Sequence, residues 1–526
     1  MPRMLLVAGG AVIVVLGGAT AAIALAREPP RLTASPAALA RIAVPGLAGR
    51  LAAVRVSTPD GTAVPVRISG GALWPERPLA QGEPLTVELT VRRPGWAAWL
   101  VGRTSSRTFA VTTPVVHVRA RFLRVGLGDA VTIPLDAPAA RVSIDRRPVR
   151  LATPAARVRT GVVAVGAHSA GSAEIAAAAR VWERLGAPVR VSWFPRLHHE
   201  QLVASPAVGS EVTPSERLVL AFSSPIAGAL ADRPPRLRPA VPGRWHVLDA
   251  HTIAFEPSGL GLPLGTAVHA VLPAAIRASL PGSTALVRTL TWNVAPGSPV
   301  RLLQLLARLG YLPLGWRAHA DPPLASMRAQ LRAALSPPTG TFTWRFRHTP
   351  AVLHAVWNED RATVVRGAVM QFEDDHGLPV DGVVSPPVWR ALFVAAIADA
   401  RSTSGYSYVF VHEDVPQSLT LWHDGKVVLR SPGNTGIAQA PTATGTYPVF
   451  EHIPVGTMEG TNPDGSHYDD PGIRWISYFH GGDAIHAFPR ASYGTPQSLG
   501  CVELPYSAAA TVWPYTPVGT LVTIEP

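Results

Sequence analysis

The sequence predicts a multidomain, mostly β protein with an apolar N-terminal helix and one short helical unit ahead of its C-terminal domain. Three observations carry this. The 526 residues give room for three or four domains, each able to bury its own core. Proline (53) and glycine (46) are plentiful while charged residues are only 16%, which favours short strands and turns over long charged helices. A single interval, residues 299–396, changes from short alternating runs to helical periodicity.

The first element is the run Met4–Ala26, about 23 uncharged and mostly apolar residues between Arg3 and Arg27, long enough to cross a bilayer as a helix. Residues 1–27 are read as a membrane anchor or, through the small-x-small pattern Ala24-Leu25-Ala26, as a cleaved signal. In either case the rest is exported, and the simplest arrangement is a single pass in the cell membrane with every domain on the extracytoplasmic side. Cys501 is the only cysteine. It cannot form an internal disulfide, so a reduced, reactive thiol is the expectation.

Residues 28–202 read as β-rich. In Leu85–Val91, alternation puts Leu85, Val87, Leu89 and Val91 on one face and Thr86, Glu88 and Thr90 on the other, a strand with one wet side. A second strand starts at Phe109. The one helix expected here is Ala173–Leu185, from its alanines and the placing of Val181 and Trp182. The stretch from Ser205 to Val212, followed by Leu218–Ile226, resembles the start of bacterial immunoglobulin-like modules. That resemblance implies a β-sandwich over 203–298, with part of 28–202 of the same kind. No cluster of polar groups converges in it, so the expected role is a spacer.

In 299–396, Val300, Leu303, Leu306 and Ala307 share a helical stripe, and Gly310-Tyr311-Leu312-Pro313 ends that helix. Further on, Gln371-Phe372, Gly377-Leu378, Asp381-Gly382, Pro386 and Trp389 occur in the order that resembles a small helical peptidoglycan-binding domain. Phe372 and Trp389 read as its core. The arginine- and tryptophan-rich stretch 315–360 is an insertion relative to that pattern.

The C-terminal region, 405–526, opens with strand-like Tyr406–Phe410, Leu419–Trp422 and Lys426–Leu429, the last two joined by the hairpin signal Asp424-Gly425. Its informative stretch runs from His486 to Ser498-Leu499-Gly500-Cys501-Val502-Glu503. A cysteine attacks as thiolate, and a nearby imidazole draws off the proton and pairs with the anion. Gly500 lets the backbone approach a carbonyl closely, and adjacent N–H groups can form an oxyanion hole. Ile485-His486 with Ser498-x-Gly500-Cys501-Val502, preceded by Asn434-Thr435-Gly436 and by Pro441-Thr442-Ala443-Thr444-Gly445, resembles the L,D-transpeptidases of the YkuD type.

The resemblance implies a mostly β catalytic domain whose first three strands form a curved sheet carrying the His486–Cys501 loop. It implies a cell-wall enzyme in which Cys501 attacks a peptidoglycan stem peptide, His486 serves as base, and a second stem's amine resolves the thioester into a 3→3 cross-link. Gly500 and Cys501 would donate N–H groups to the oxyanion and Ser498 would fix the loop. Tyr478 and His480 would line the substrate cleft and Tyr493 would cover it. Carbapenems would acylate Cys501. Ala443, Leu499 and Glu503 depart from the commoner form. A carboxylate at 503 opposes the thiolate unless it points away or pairs with a cation such as Arg490; it should also repel a ligand carboxylate, so Glu503→Arg should speed acylation.

Two other readings follow from the same residues: an L,D-carboxypeptidase, with water in place of the amine, or a noncatalytic peptidoglycan-binding scaffold. A sortase would need an arginine after the cysteine, and none follows Cys501. His467, His480, Asp483 and His486 suggest a metal site, but Gly481-Gly482 argues against the helix that would converge them, and no metal or other cofactor is expected. The net charge of +12 rests on dispersed arginines, with Lys426 the only lysine, and no nucleic-acid motif accompanies it. The expected partners are stem peptides, glycan and, through the N-terminal helix, the membrane.

Overall fold

The computed structural model describes residues 28–46, 49–320 and 324–526. The anchor expected at 1–27 lies outside the described residues, and among those described no helix is long and apolar enough to cross a membrane.

Three β-sandwiches come first. In the first, the sheet holding Arg31–Thr33, Ala40–Ala43, Ala72–Pro75 and Val66–Ser69 faces the sheet of Arg50–Ser57, Pro84–Arg92 and Thr104–Thr112. Leu85, Val87 and Leu89 from one sheet and Leu73 from the other share its core. In the second, a five-stranded and a two-stranded sheet close over Ile133, Val158, Ile175 and Val191. The helix expected at Ala173–Leu185 is instead the strand Gly171–Ala178, paired on both sides with Arg141–Ile144 and Val189–Pro195. Its alanines favour a helix locally, but their small side chains also suit a central strand buried at five of its eight positions. In the third, two four-stranded sheets enclose Phe222, Ile253, Leu290 and Trp292, and the Trp292 indole N–H donates to the Pro206 carbonyl at 3.0 Å.

The helical unit follows. Helix Pro299–Leu309 ends on Gly310 at φ 91°, a left-handed cap that glycine adopts without Cβ strain. Its buried stripe is Leu302, Leu305, Leu306 and Leu309, while Val300 is 48% exposed. Of the expected stripe Leu306 and Ala307 are buried, while Arg301 and Gln304 turn inward in place of Val300. Arg301 donates to Gln304 at 3.1 Å and Gln330 at 2.7 Å, and these partners let the charged group occupy a core position. The 315–360 insertion forms the hairpin Leu314–Ala318 with Gly340–Trp344 and the helices Met327–Leu335 and Ala351–Glu359. Helices Arg361–Asp375 and Pro386–Ala398 complete the unit, with Phe372 and Trp389 buried. Between them, buried Glu373 accepts the backbone N–H groups of Asp381 and Gly382 at 3.1 and 2.8 Å, which pins the Asp-Gly turn.

The C-terminal domain is two sheets back to back. The first has the order Lys426–Pro432, Ser418–His423, Ser407–His412, Leu521–Glu525, Gly445–Pro448, with Asp424 (φ 42°) and Gly425 (φ 87°) in the tight turn. The second has the order Glu451–Thr461, His467–His480, Asp483–Ala487, Val502–Leu504. Val409, Val411, Leu419 and Leu421 face the second sheet's Phe479, Ile485 and Val502. Alternation turns Tyr408 to the other side, where it joins Trp422 and Leu521 in the same core as the helical unit's leucines. The helical unit is thus built onto the first sheet rather than tethered to it. Trp422 donates to the His348 carbonyl at 2.9 Å, and Phe346 meets its ring edge-on at 5.2 Å.

Candidate active site

Contrary to the sequence expectation, the second sheet and not the first carries the reactive loop. Strands Asp483–Ala487 and Val502–Leu504 pair in parallel, with Ile485 opposite Val502 and His486 opposite Glu503. Cys501 therefore stands one residue before its strand, next to the histidine strand. The loop between them is held from below by the Asn434-Thr435-Gly436 segment. The Thr435 carbonyl accepts the N–H groups of Gln497 and Ser498, Asn434 pairs in both directions with Glu503, and Asn434 Oδ1 accepts the Gly494 N–H at 2.9 Å. Thr442 Oγ1 accepts the Gly436 N–H at 2.9 Å. These are the motif residues whose separate functions the sequence left blank: they form a buried polar seat for the loop.

Cys501 and His486 open into one cleft of about 730 Å³. The hairpin Glu451–Thr461 and His467–His480 overhangs it, contributing Met458, Tyr468, Asp470 and Ile473, and Tyr478 lies deeper on the same strand. Of the residues assigned to the cleft from sequence, Tyr478 lines it and two do not. His480 is exposed and pairs with Asp483 at 3.3 Å. Tyr493 is turned inward: its hydroxyl donates to the Phe488 carbonyl at 2.7 Å and accepts the Arg490 N–H at 3.2 Å. It braces the loop from behind. Tyr468 and Asp470 were missed because the hairpin that folds them over the cysteine is a long-range arrangement; Phe488, just after the histidine strand, was missed as well. Among the described residues no group of histidine, cysteine and carboxylate side chains is placed to hold a metal ion.

Loop geometry changes one expected backbone role, that of the Gly500 N–H. The Gly500 N–H donates to Ser498 Oγ at 3.2 Å, and that hydroxyl donates to the Cys501 carbonyl at 2.6 Å. Ser498 therefore staples the turn, and the Gly500 N–H is engaged rather than aimed at a substrate oxygen. Gly500 has φ 115°, and a Cβ there would run into Asp483 Oδ1. Both constraints demand glycine.

His486 is buried, and its Nδ1 lies 3.0 Å from the Ala487 carbonyl. A carbonyl only accepts, so Nδ1 carries the proton and Nε2 is the basic nitrogen. Burial holds this imidazole below the ordinary histidine range. The Cys501 thiol is pushed up to about 12, first by burial and then by the carboxylates of Asp483 and Glu503, against the backbone N–H of Ala484. Sγ lies 3.7 Å from the Gly482 carbonyl, to which the thiol donates. Burial thus favours a neutral thiol and a neutral imidazole at rest. This differs from the ion pair expected from sequence: burial disfavours both charged forms, and the carboxylates of Asp483 and Glu503 oppose the thiolate although Glu503 favours the imidazolium.

Glu503 is neutralised. Its side chain is 5% exposed and takes a bidentate ion pair from Arg490, at 2.6 and 2.8 Å. Arg490 also donates to the Gln497 carbonyl at 3.1 Å and lies over the Phe488 ring at 4.7 Å. The repulsion expected of Glu503 toward a ligand carboxylate is therefore largely cancelled, and Glu503→Arg would set two guanidinium groups against each other in a buried place.

Asp483, whose side-chain partner is the exposed His480 at 3.3 Å, is the second carboxylate beside the Cys501 thiol. Its Oδ2 accepts the Ala443 N–H at 3.3 Å, its Oδ1 faces Gly500, and burial raises its own proton affinity. Asp483→Asn removes a negative charge beside Sγ, so the thiol becomes more acidic. Alkylation of Cys501 at neutral pH should rise by up to about tenfold, the effect of one unit. In the unaltered chain the rate should climb with pH beyond about 10 instead of levelling near 8.5, the range of an ordinary thiol. Intact-mass kinetics with iodoacetamide reads both. A plateau near 8.5 would contradict the buried, carboxylate-flanked thiol.

A family model matches the part of the chain that carries this site. Residues 407–524 match the YkuD family model, the L,D-transpeptidase catalytic domain. Among curated proteins none matches the chain. Similar solved structures include an L,D-transpeptidase from Mycobacterium smegmatis, 14% identical, covering 62% of this chain and 99% of its own at a TM-score of 0.21. L,D-transpeptidase 3 from Mycobacterium tuberculosis is 12% identical with the same coverage and TM-score. The catalytic domain of the E. faecium L,D-transpeptidase is 25% identical over 24% of this chain and 100% of its own, again at 0.21. The YkuD match supports an enzyme of the L,D-transpeptidase type; Cys501 and His486 both lie inside the matched residues.

Proposed function

We propose that the chain is a cell-wall L,D-transpeptidase in which Cys501 is the nucleophile and His486 the base. The observation that supports this most directly is the single cleft containing both residues on adjacent strands, roofed by the long hairpin. Cys501 Sγ attacks the carbonyl of the third stem residue while its proton passes to His486 Nε2. The tetrahedral intermediate collapses with His486 returning that proton to the leaving amine of D-alanine. A side-chain amine from a second stem then attacks the thioester, restores the thiol and leaves a 3→3 cross-link. With Gly500 engaged by Ser498, the Cys501 N–H is the backbone donor left for the oxyanion, a contact typically worth about 3–4 kcal/mol.

The helical unit is the candidate glycan contact, the sandwiches are spacers of immunoglobulin-like type, and the chain is placed outside the membrane with Met4–Ala26 as its anchor. Incubating the full chain with a disaccharide-tetrapeptide and following products by mass spectrometry tests the reaction. Dimer formed with loss of D-alanine is expected. Tripeptide alone would make it an L,D-carboxypeptidase, and unchanged substrate would make it a noncatalytic scaffold.

A further inference from the structure

One pole of the first sandwich carries a surface that the catalytic reading leaves unused. Strands Pro84–Arg92 and Thr104–Thr112 are joined there by the short helix Gly95–Val101. Its Trp96 is 47% exposed and its Trp99 81%. Two indoles standing out within one helical turn form an apolar, hydrogen-bond-capable tip of the kind that marks a contact surface. Arginines surround them. Register sets Arg50 opposite Arg92, and Arg92 opposite Thr104, so that Arg50, Arg92, Arg93 and Trp96 line one hollow of about 310 Å³. The ion pairs of this sandwich are Arg31 with Glu28 and Arg55 with Glu88. Among the described residues no carboxylate pairs with Arg50, Arg92, Arg93 or Arg103.

The course of the chain says what this pole faces. Arg31, the first residue of its strand, pairs with Ala43, the last of its own. From Ala43 only residues 44–49 separate the chain from Arg50, a reach of at most about 25 Å. The described chain therefore starts at the pole that bears the tryptophans and arginines. Strand Thr104–Thr112 runs from that pole to the opposite one, where the chain leaves for the second sandwich. Immediately before residue 28 the sequence holds the apolar run Met4–Ala26.

We propose that this pole rests on an anionic phospholipid bilayer, with Trp96 and Trp99 at the headgroup level and Arg50, Arg92, Arg93 and Arg103 on lipid phosphates. Tryptophan favours that interface because its ring is apolar and its N–H is not. Guanidinium groups match phosphate in a bidentate way, and each basic group near an anionic leaflet adds to the attraction. The consequence is orientation: the sandwich stands fixed on the membrane, instead of swinging on the Glu28-Pro29-Pro30 segment, and directs the later domains outward. The inference rests on the reading of Met4–Ala26 as the anchor.

The test is amide hydrogen exchange of residues 93–103 in the full chain, reconstituted in nanodiscs of phosphatidylglycerol or of phosphatidylcholine and compared with detergent. A several-fold slowing in phosphatidylglycerol is expected, weaker in phosphatidylcholine and lost in Trp96→Ser/Trp99→Ser, whose Cys501 alkylation should be unchanged. Equal exchange in phosphatidylglycerol and detergent, with the chain incorporated, would overturn this surface while leaving the anchor and the cleft standing. Failure to incorporate would overturn anchor and surface together. Protection in detergent by soluble polyphosphate, without protection in nanodiscs, would assign the pole to an anionic polymer and overturn the lipid reading.

Discussion

Cys501→Ala and Cys501→Ser should each reduce turnover of a disaccharide-tetrapeptide to background while keeping the fold, since the side chain is partly buried at the edge of a small core cluster and both replacements are no larger. His486→Ala should lower turnover by about 10²–10⁴, the usual worth of a positioned general base. The structure sharpens what accompanies that loss. The resting thiol donates to Gly482 and not to the imidazole, and burial favours the neutral form of both groups. Alkylation of Cys501 at neutral pH should therefore change far less in His486→Ala than turnover does. If both fall together, the pair rests as thiolate and imidazolium after all. If either cysteine variant still forms cross-links, the nucleophile is another group.

That Cys501 and His486 share one cleft was legible because both sit inside a short motif whose spacing is set by a local loop. The tight turn at Asp424-Gly425 was legible for the same reason: it depends on two adjacent backbone conformations. The partition of strands between two sheets was not. Which neighbour a strand pairs with depends on long-range closure, and His467–His480 carries Pro471, Gly472 and a left-handed Trp475 (φ 59°) that spoil any simple alternation. Residues that this strand brings over the cleft, Tyr468 and Asp470, therefore had no signal of their own. Arg490 did have one. An arginine in the loop ahead of a misplaced-looking Glu503 suggested the pairing, and the structure supplies its bidentate geometry. His480 and Tyr493 misled because nearness in sequence to the base says nothing about which way a side chain turns at a strand end or in a loop.

Removing residues 299–398 should unfold the catalytic domain rather than merely weaken its hold on the wall. Two units joined only by a flexible linker would let deletion spare turnover on small fragments. The structure instead puts Tyr406, Tyr408, Trp422 and Leu521 in one core with Leu305, Leu309, Phe372 and Phe393. Exposing four such side chains costs on the order of 5–10 kcal/mol, as much as the whole stability of a typical domain. The contact is also close at the backbone. A Cβ on Gly367 would lie 2.6 Å from the Gly519 carbonyl oxygen, and Gly519 sits at φ 87°, so helix Arg361–Asp375 can approach the first sheet only with glycine at both places. Gly367→Ala should accordingly destabilise the chain by about 1–3 kcal/mol, the usual cost of overpacking. It should leave the kcat of the folded fraction unchanged, because the second sheet holds Cys501 and His486. Thermal unfolding followed by circular dichroism, beside fragment turnover, checks both. A soluble 399–526 fragment that melts cooperatively and turns over at the rate of the full chain would show that the shared core is dispensable.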